Sequence, residues 1–222
     1  MKNHIVKIIS TQIVTHDVMR FTVEKPEGYT YTPGQATQVS VNTLALKNEK
    51  KPFTFTSLNN QKHLEFIIKI YNSHNGVTKE LGKLKAGDEL IIHDVWGAIK
   101  YKGKGVFIAG GSGVTPFIAI FRQLYSENNI AKNKLIFTNK TESDIILKEE
   151  FNEMLGKSFI NILTDENKDG YENSRIDMAF LKENITDFTQ NFYICGPPEF
   201  VVDISEALKS LGAKTDAVVF EK

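Results

Sequence analysis

Four stretches of this 222-residue chain bring glycine, hydroxyl, thiol and aromatic side chains together at spacings that suit chemistry. The most informative is Val106-Phe-Ile-Ala-Gly-Gly-Ser-Gly-Val-Thr-Pro116, an apolar run that breaks into Gly110, Gly111, Ser112 and Gly113 before Thr115 and Pro116. A buried strand that enters a glycine-rich turn and then a helix gathers free backbone N–H groups and the positive end of a helix dipole. Glycines there let a pyrophosphate approach the backbone closely. Pro116 suits a first helical turn, where its missing N–H is not needed. The spacing departs from the dinucleotide fingerprint G-x-G-x-x-G, because Val-Thr-Pro follows the last glycine. A turn that is merely tight would use the same residues, so this stretch alone leaves both possibilities open.

The second stretch, Tyr193-Ile-Cys-Gly-Pro-Pro198, sets Cys195 at the tip of an expected strand, with Gly196 and Pro197 fixing the backbone after it. The third, Lys51-Pro-Phe-Thr-Phe-Thr-Ser57, places Lys51, Pro52, Phe53 and Thr54 on a strand of alternating aromatics and hydroxyls. By itself it is no more than a strand. The fourth, Gly76-Val77-Thr78, opens a short helix and could bind a phosphate or simply cap.

These stretches need elements to hold them. Up to about Tyr101 the pattern is one of short β-branched and aromatic segments separated by turn residues such as Pro33-Gly34 and Gly87-Asp88. Strands are expected at His4–Ser10, Val18–Val23, Thr37–Val41, Phe53–Leu58, His63–Tyr71 and Glu89–Asp94, with one helix, Asn75–Leu84. Six such strands suggest a closed antiparallel β-barrel. The period then changes. Strands at Gly105–Ala109, Lys134–Thr138, Phe159–Leu163, Asn191–Cys195 and Ala217–Phe220 alternate with helices at Pro116–Ser126, Ile145–Leu155, Asp177–Glu183 and Glu199–Leu208. That alternation implies an α/β doubly wound parallel sheet, which binds ligands outside the carboxyl ends of its strands. The expected organisation is two domains, residues 1–102 and 103–222, joined in the Lys102–Gly105 linker.

Composition narrows the function classes. With 41% hydrophobic and 24% charged residues, disordered and collagen-like readings fall away. Cys195 is the only cysteine, which excludes an internal disulfide and a cysteine-ligated iron–sulfur cluster or zinc site. The five histidines are scattered, so no bound metal is expected. The first residues do not read as a signal peptide, and no apolar run approaches the ~20 residues of a membrane span, so a cytoplasmic chain without membrane insertion is expected. The first 103 residues carry 14 basic and nine acidic side chains, and the remainder 13 and 18. This asymmetry fits either a surface polarised toward an acidic partner or drift in composition. No nucleic-acid partner is expected.

In their order along the chain, the four stretches resemble the ferredoxin–NADP reductase superfamily, above all its bacterial flavodoxin/ferredoxin reductase and flavin reductase branches. The resemblance covers essentially the whole chain. It implies an FAD-binding barrel, an NAD(P)-binding α/β domain, and an FAD-dependent NAD(P)H oxidoreductase with NADH or NADPH as co-substrate. The family's R-x-Y-[ST] flavin motif falls on Lys51, Phe53 and Thr54, across Pro52. Phe53 is then implied to stack on the isoalloxazine, Thr54 to hydrogen-bond near the hydride-accepting nitrogen, and Lys51 to meet FAD phosphate. Lys51 in place of Arg supplies a point charge without a fork, and Phe53 in place of Tyr keeps the stacking face.

The resemblance further implies that Lys69-Ile70-Tyr71 runs beside the flavin and that Gly76, Val77 and Thr78 cradle the FAD pyrophosphate. Gly110, Gly111, Ser112, Gly113, Thr115 and Pro116 would hold the NAD(P) pyrophosphate, with Thr115 also near the flavin edge. Cys195, Gly196 and Pro197 would position the nicotinamide, and Phe220 would cover the flavin with Glu221 beside it. Thr54, Cys195 and Glu221 form the candidate catalytic set. Where NADP-specific relatives carry a Ser-Arg pair, this chain has Leu163-Thr-Asp-Glu166. Asp165 would repel a 2′-phosphate, although Lys140 could offset it, so the expectation leans to NADH. The expected acceptor is a small acidic electron-transfer protein, a flavodoxin or ferredoxin, served by a monomer. Reduction of free flavin is the alternative, and a non-catalytic nucleotide-binding subunit is the third option.

Overall fold

The computed structural model describes residues 3–72, 76–97, 99–130 and 132–214, and the backbone of 218–220. They fall into two compact units: Met1–Lys100 with Thr115–Gln123, and Tyr101–Val114 with Leu124–Lys222.

The first unit contains β1 (His4–Thr15), β2 (Val18–Glu24), β3 (Ala36–Val41), β4 (Lys51–Thr54), β5 (His63–Lys69) and β6 (Glu89–Trp96). All pair antiparallel, in the order β4-β3-β6-β1-β2-β5. Period-two alternation turns Leu64, Phe66 and Ile68 of β5, and Leu90 and Ile92 of β6, into a common core. The two end strands meet at a seam, where the Thr56 N–H donates to the Glu65 carbonyl at 2.9 Å. This bond closes the barrel past the end of β4, while β4 itself, paired only with β3, keeps an edge.

Two strands differ from expectation. β1 runs on to Thr15 because its second half pairs with β2 alone, from Ser10↔Thr22 to Thr15↔Val18, with register shifts at Ile8/Ser10 and Ile13/Thr15. β4 begins at Lys51 and stops at Thr54, not Leu58. Beyond Thr54 the chain changes partner: the Phe55 N–H bonds Gln35 and that of Thr56 bonds Glu65. The barrel's helix α1 (Val77–Leu81) is shorter than expected and buries Val77 and Leu81.

The second unit holds β7 (Gly105–Gly110), β8 (Lys134–Asn139), β9 (Phe159–Leu163), β10 (Asn191–Cys195) and β11 (Val218–Phe220), a parallel sheet in the order β11-β10-β7-β8-β9. All six positions of β7 are buried, as a central strand covered on both faces requires. One face of the sheet packs Val106, Ile108, Phe192 and Ile194 with Leu181, Ile204 and Leu208. The last three come from α4 (Met178–Asn184) and α5 (Pro198–Ser210); α4 is capped by Asp177, whose carboxylate accepts from the Phe180 N–H at 2.8 Å. Helices α2 (Thr115–Ser126) and α3 (Lys148–Leu155) follow β7 and β8 in the chain. Strand order reverses at β7, with β8 on one side and β10 on the other. The carboxyl ends of β7 and β10 therefore flank the switch point where such sheets bind ligands. The expected class, an antiparallel barrel plus a doubly wound parallel sheet, is the one observed. Among the described residues no helix is long and apolar enough to cross a membrane.

Candidate cofactor-binding sites

In the second unit, β7 ends at Gly110, a 3-10 turn spans Gly111–Val114, and α2 starts at Thr115 with Pro116 in its first turn. β10 runs parallel to β7, with Cys195 opposite Ala109. The glycines divide into two roles. A Cβ on Gly113 would lie 2.3 Å from the Cys195 carbonyl oxygen and 2.6 Å from the Gly196 nitrogen, both backbone atoms. One on Gly110 would stand 3.3 Å from Pro197 Cδ, and one on Gly196 2.7 Å from the Phe200 ring. These three glycines join the turn to the tip of β10. Gly111 is different: its φ is +53° and nothing lies within 4 Å of where its Cβ would be. It leaves backbone facing open space beside a helix start, which fits a pyrophosphate.

Cys195 and Gly196 are half-buried at that tip and Pro197 is exposed. Tyr193, two residues upstream, is fully buried and stacks on Phe107 with ring centroids 4.2 Å apart. Its hydroxyl donates to the Gly103 carbonyl at 2.7 Å and accepts from the Lys102 N–H at 2.8 Å, fastening the linker to β10. Burial pushes this phenol above its ordinary pKa, so it remains a neutral donor.

At the ends of β8 and β9, the Asp165 N–H donates to the Lys140 carbonyl at 2.9 Å, and Thr164 Oγ1 donates to Asp165 Oδ1 at 2.9 Å. Both Asp165 and Lys140 are exposed. Next to them lies a cluster that sequence reasoning missed. Glu142 accepts from Lys148 at 2.5 Å, from Lys168, and from the Tyr171 hydroxyl at 2.5 Å. These donors, Lys148 foremost, hold its carboxyl down at about 2. The members are spread over thirty residues without a motif, so no local signal marks them.

In the barrel, β4 is an end strand that pairs with β3, an edge position that tolerates Pro52. Lys51 and Pro52 are exposed, Phe53 is half-buried against the core, and Thr54 is buried. Phe55 is fully buried and stacked on Tyr31, with centroids 4.1 Å apart, which leaves Phe53 as the strand's accessible ring. Lys69 is engaged with Asp17, 2.8 Å away. Ile70 is buried with its N–H on the Asp17 carbonyl at 2.7 Å, and Tyr71 is exposed. Gly76 is extended at the start of α1 with open space where a Cβ would be, while the Val77 side chain points into the core. Among the described residues of that turn, backbone and the Thr78 hydroxyl are the groups suited to a phosphate. The donor set, a half-buried ring beside a buried hydroxyl and a cation on an edge strand, fits a flavin.

Past Thr54 stand two residues that no motif marks, Glu65 and Arg122. Glu65 Oε1 accepts from Thr56 Oγ1 at 2.8 Å and from Arg122 Nη1 at 2.6 Å, and the same guanidinium nitrogen reaches the Thr56 carbonyl at 2.8 Å. Arg20 Nε stands 3.3 Å from Glu65 Oε2, close enough to pair but out of line for a hydrogen bond. Of the expected flavin-covering residues, Phe220 lies on β11 with its side chain outside the described residues, and Glu221 lies outside them altogether.

Residues 3–138 match the family model for an FAD-binding domain, and residues 107–206 that for an oxidoreductase NAD-binding domain. The chain is 29% identical over 212 residues to NADH-cytochrome b5 reductase 2 of Mycosarcoma maydis, covering 86% of this chain and 60% of that protein. It is 24% identical over 237 residues to the reductase component of propane 2-monooxygenase of Rhodococcus jostii, covering 97% and 62% respectively. It therefore spans only part of either relative. A solved structure of a ferredoxin NADP+ reductase from Neisseria gonorrhoeae with bound FAD and NADP has the same fold, with a TM-score of 0.85 at 20% identity over 100% of this chain and 98% of that one.

Proposed function

The chain belongs to the ferredoxin–NADP reductase superfamily of FAD-dependent NAD(P)H oxidoreductases, and from that premise we propose that it passes electrons from NADH to a small acidic protein, a flavodoxin or a ferredoxin. FAD, held by these residues, would supply the redox chemistry: it takes one hydride, that is two electrons, and can release them singly. The protein's part is to bind and orient. β4 offers the Phe53 face for stacking, the Thr54 hydroxyl as a hydrogen-bonding group, and Lys51 as a charge for phosphate. The Gly111 turn takes the nicotinamide nucleotide's pyrophosphate, and Cys195 flanks the nicotinamide. Hydride transfer needs the reacting atoms at roughly 3–3.5 Å, so small displacements of these groups matter.

The observation that supports this reading is the seating of Gly113 against the Cys195 carbonyl, which brings a glycine-rich turn at a helix start and the half-buried Cys195 to one rim. Preference for NADH rests on Asp165, held by Thr164 beside Lys140; a carboxylate there accepts from a ribose hydroxyl and repels a 2′-phosphate. The basic excess of the first 103 residues supports an acidic acceptor. Exposed Lys51, with no fork to grip a phosphate, favours a second reading, reduction of free flavin.

Turnover with NADH or NADPH against flavodoxin, ferredoxin, cytochrome b5 and free FMN tests the proposal. Fast, salt-sensitive reduction of flavodoxin or ferredoxin with NADH is expected. A preference for NADPH above about tenfold would contradict the role of Asp165, since that is ~1.4 kcal/mol in the wrong direction. Turnover with FMN alone would move the assignment to the second reading.

A further inference from the structure

Arg122 is the only charged residue in the twelve of α2, and it belongs with the barrel unit. The side chains of Arg122 and Glu65 are 18% and 17% exposed, so both charges sit largely out of water. An ion pair withdrawn from solvent is a poor source of net stability compared with apolar packing. Its strength is geometric, because the planar guanidinium fixes direction as well as charge. Here one nitrogen, Nη1, grips both the Thr56 carbonyl and the Glu65 carboxylate, while Thr56 gives its hydroxyl and its N–H to Glu65. Glu65 N–H in turn donates to Ser57 Oγ at 2.9 Å, and that oxygen lies 2.7 Å from the Tyr31 hydroxyl. Burial raises the Tyr31 phenol to about 12, so it remains a neutral hydrogen-bonding partner.

This network stands where the chain leaves the β3–β4 ladder. The ladder from β3 ends at Thr54, and the Thr56–Glu65 bond is where the strand crosses to β5. The carbonyl that Arg122 holds is two residues downstream of Thr54. We propose that Arg122 and Glu65 are positioning residues for hydride transfer: they fix the exit of β4, and thereby the placement of Phe53 and Thr54, and tie that strand to the helix that follows the glycine turn. The proposal rests on β4 being the flavin strand.

A pair that merely closed the barrel would lower melting temperature and FAD content together, and leave the loaded fraction reducing at the normal rate. The test compares FAD-loaded wild type with Arg122→Ala, Arg122→Lys and Glu65→Gln. The limiting rate of flavin reduction at saturating NADH is normalised to bound FAD, and amide hydrogen exchange is followed in a peptide spanning residues 53–58. Displacement of the strand by about 1 Å would slow the limiting rate on the order of 100-fold in Arg122→Ala. Arg122→Lys, which keeps the charge and gives up the planar guanidinium, should recover part of that loss. The apparent Kd for NADH should stay within about threefold of wild type, because the loss lies in the hydride step and not in binding. Exchange should quicken in 53–58 and stay unchanged in the β1–β2 hairpin. Should Arg122→Ala fail to fold, Arg122→Lys and Glu65→Gln carry the same comparison. Variants that reduce within about twofold of wild type per bound FAD, with unchanged exchange, overturn the inference, since that is under ~0.5 kcal/mol of barrier. Wild type that shows no flavin reduction at all would instead overturn the functional reading beneath it.

Discussion

Gly113→Ala is the sharpest perturbation the structure offers. The new methyl would begin 2.3 Å from the Cys195 carbonyl oxygen and 2.5 Å from its carbon, and both are backbone atoms with no rotamer to change. Relief requires the 3-10 turn and the tip of β10 to separate by about 1 Å, which for overpacking of this kind costs roughly 1–3 kcal/mol. The same shift moves Cys195 and Gly196 relative to the turn, and misplacement of about 1 Å near reacting atoms costs on the order of 100-fold in rate. Gly111→Ala is the control. Its methyl meets nothing, and its φ of +53° costs an L residue roughly 1–2 kcal/mol. The two variants should thus lose similar stability in urea unfolding and differ in stopped-flow reduction by NADH. Gly113→Ala should lower the limiting rate, whereas Gly111→Ala should raise the apparent Kd and leave that rate nearly intact. A Gly113→Ala protein that reduces its flavin at the wild-type limiting rate would show that the contact between the turn and the tip of β10 does not set the hydride geometry.

Other expectations follow from single groups. His93 is 4% exposed with neither ring nitrogen hydrogen-bonded, and burial, aided by Lys50, lowers its pKa. The unfolded chain then takes up the proton first, near pH ~6.5. The contribution is fully present above that pH and is lost as pH falls toward the folded value, at up to ~1.4 kcal/mol per pH unit. Urea midpoints measured from pH 7.5 to 5 should show this slope, and His93→Leu should flatten it; an unchanged slope would exclude His93 as the source. Tyr193→Phe strips partners from the Lys102 N–H and Gly103 carbonyl and should destabilise the protein by about 1–3 kcal/mol, read by urea unfolding. Thr54→Ala or Cys195→Ala should slow single-turnover reduction more than it weakens NADH binding, and equal effects on both would show that these groups only bind.

Much of the architecture was legible because burial imposes period. Gly105–Ala109 reads as a continuous apolar strand, and the observed strand, Gly105–Gly110, is buried at all six positions. The ends of β4 were not legible, since the aromatic–hydroxyl alternation continues through Ser57 while the backbone partner changes from β3 to β5 after Thr54. Pattern reports which face a residue takes and not which strand lies beside it. The same limit explains the glycines. Spacing suggests the same close approach at Gly110, Gly111 and Gly113, to a pyrophosphate or within a tight turn; the partner at Gly113 is Cys195, brought in from more than eighty residues away, and of the three Gly111 keeps its open side. Glu65 and Arg122 escaped notice because each looks ordinary where it stands, a polar residue on an alternating strand and a charge on an amphipathic helix. Arg122 as the lone charge in Thr115–Ser126 was the one available hint.

The most direct test of the central claim is a visible absorption spectrum of the purified protein, before and after anaerobic addition of NADH. A flavoprotein NADH oxidoreductase shows a flavin spectrum that bleaches within seconds. A protein that neither carries flavin nor oxidises NADH when flavin is supplied would contradict the claim.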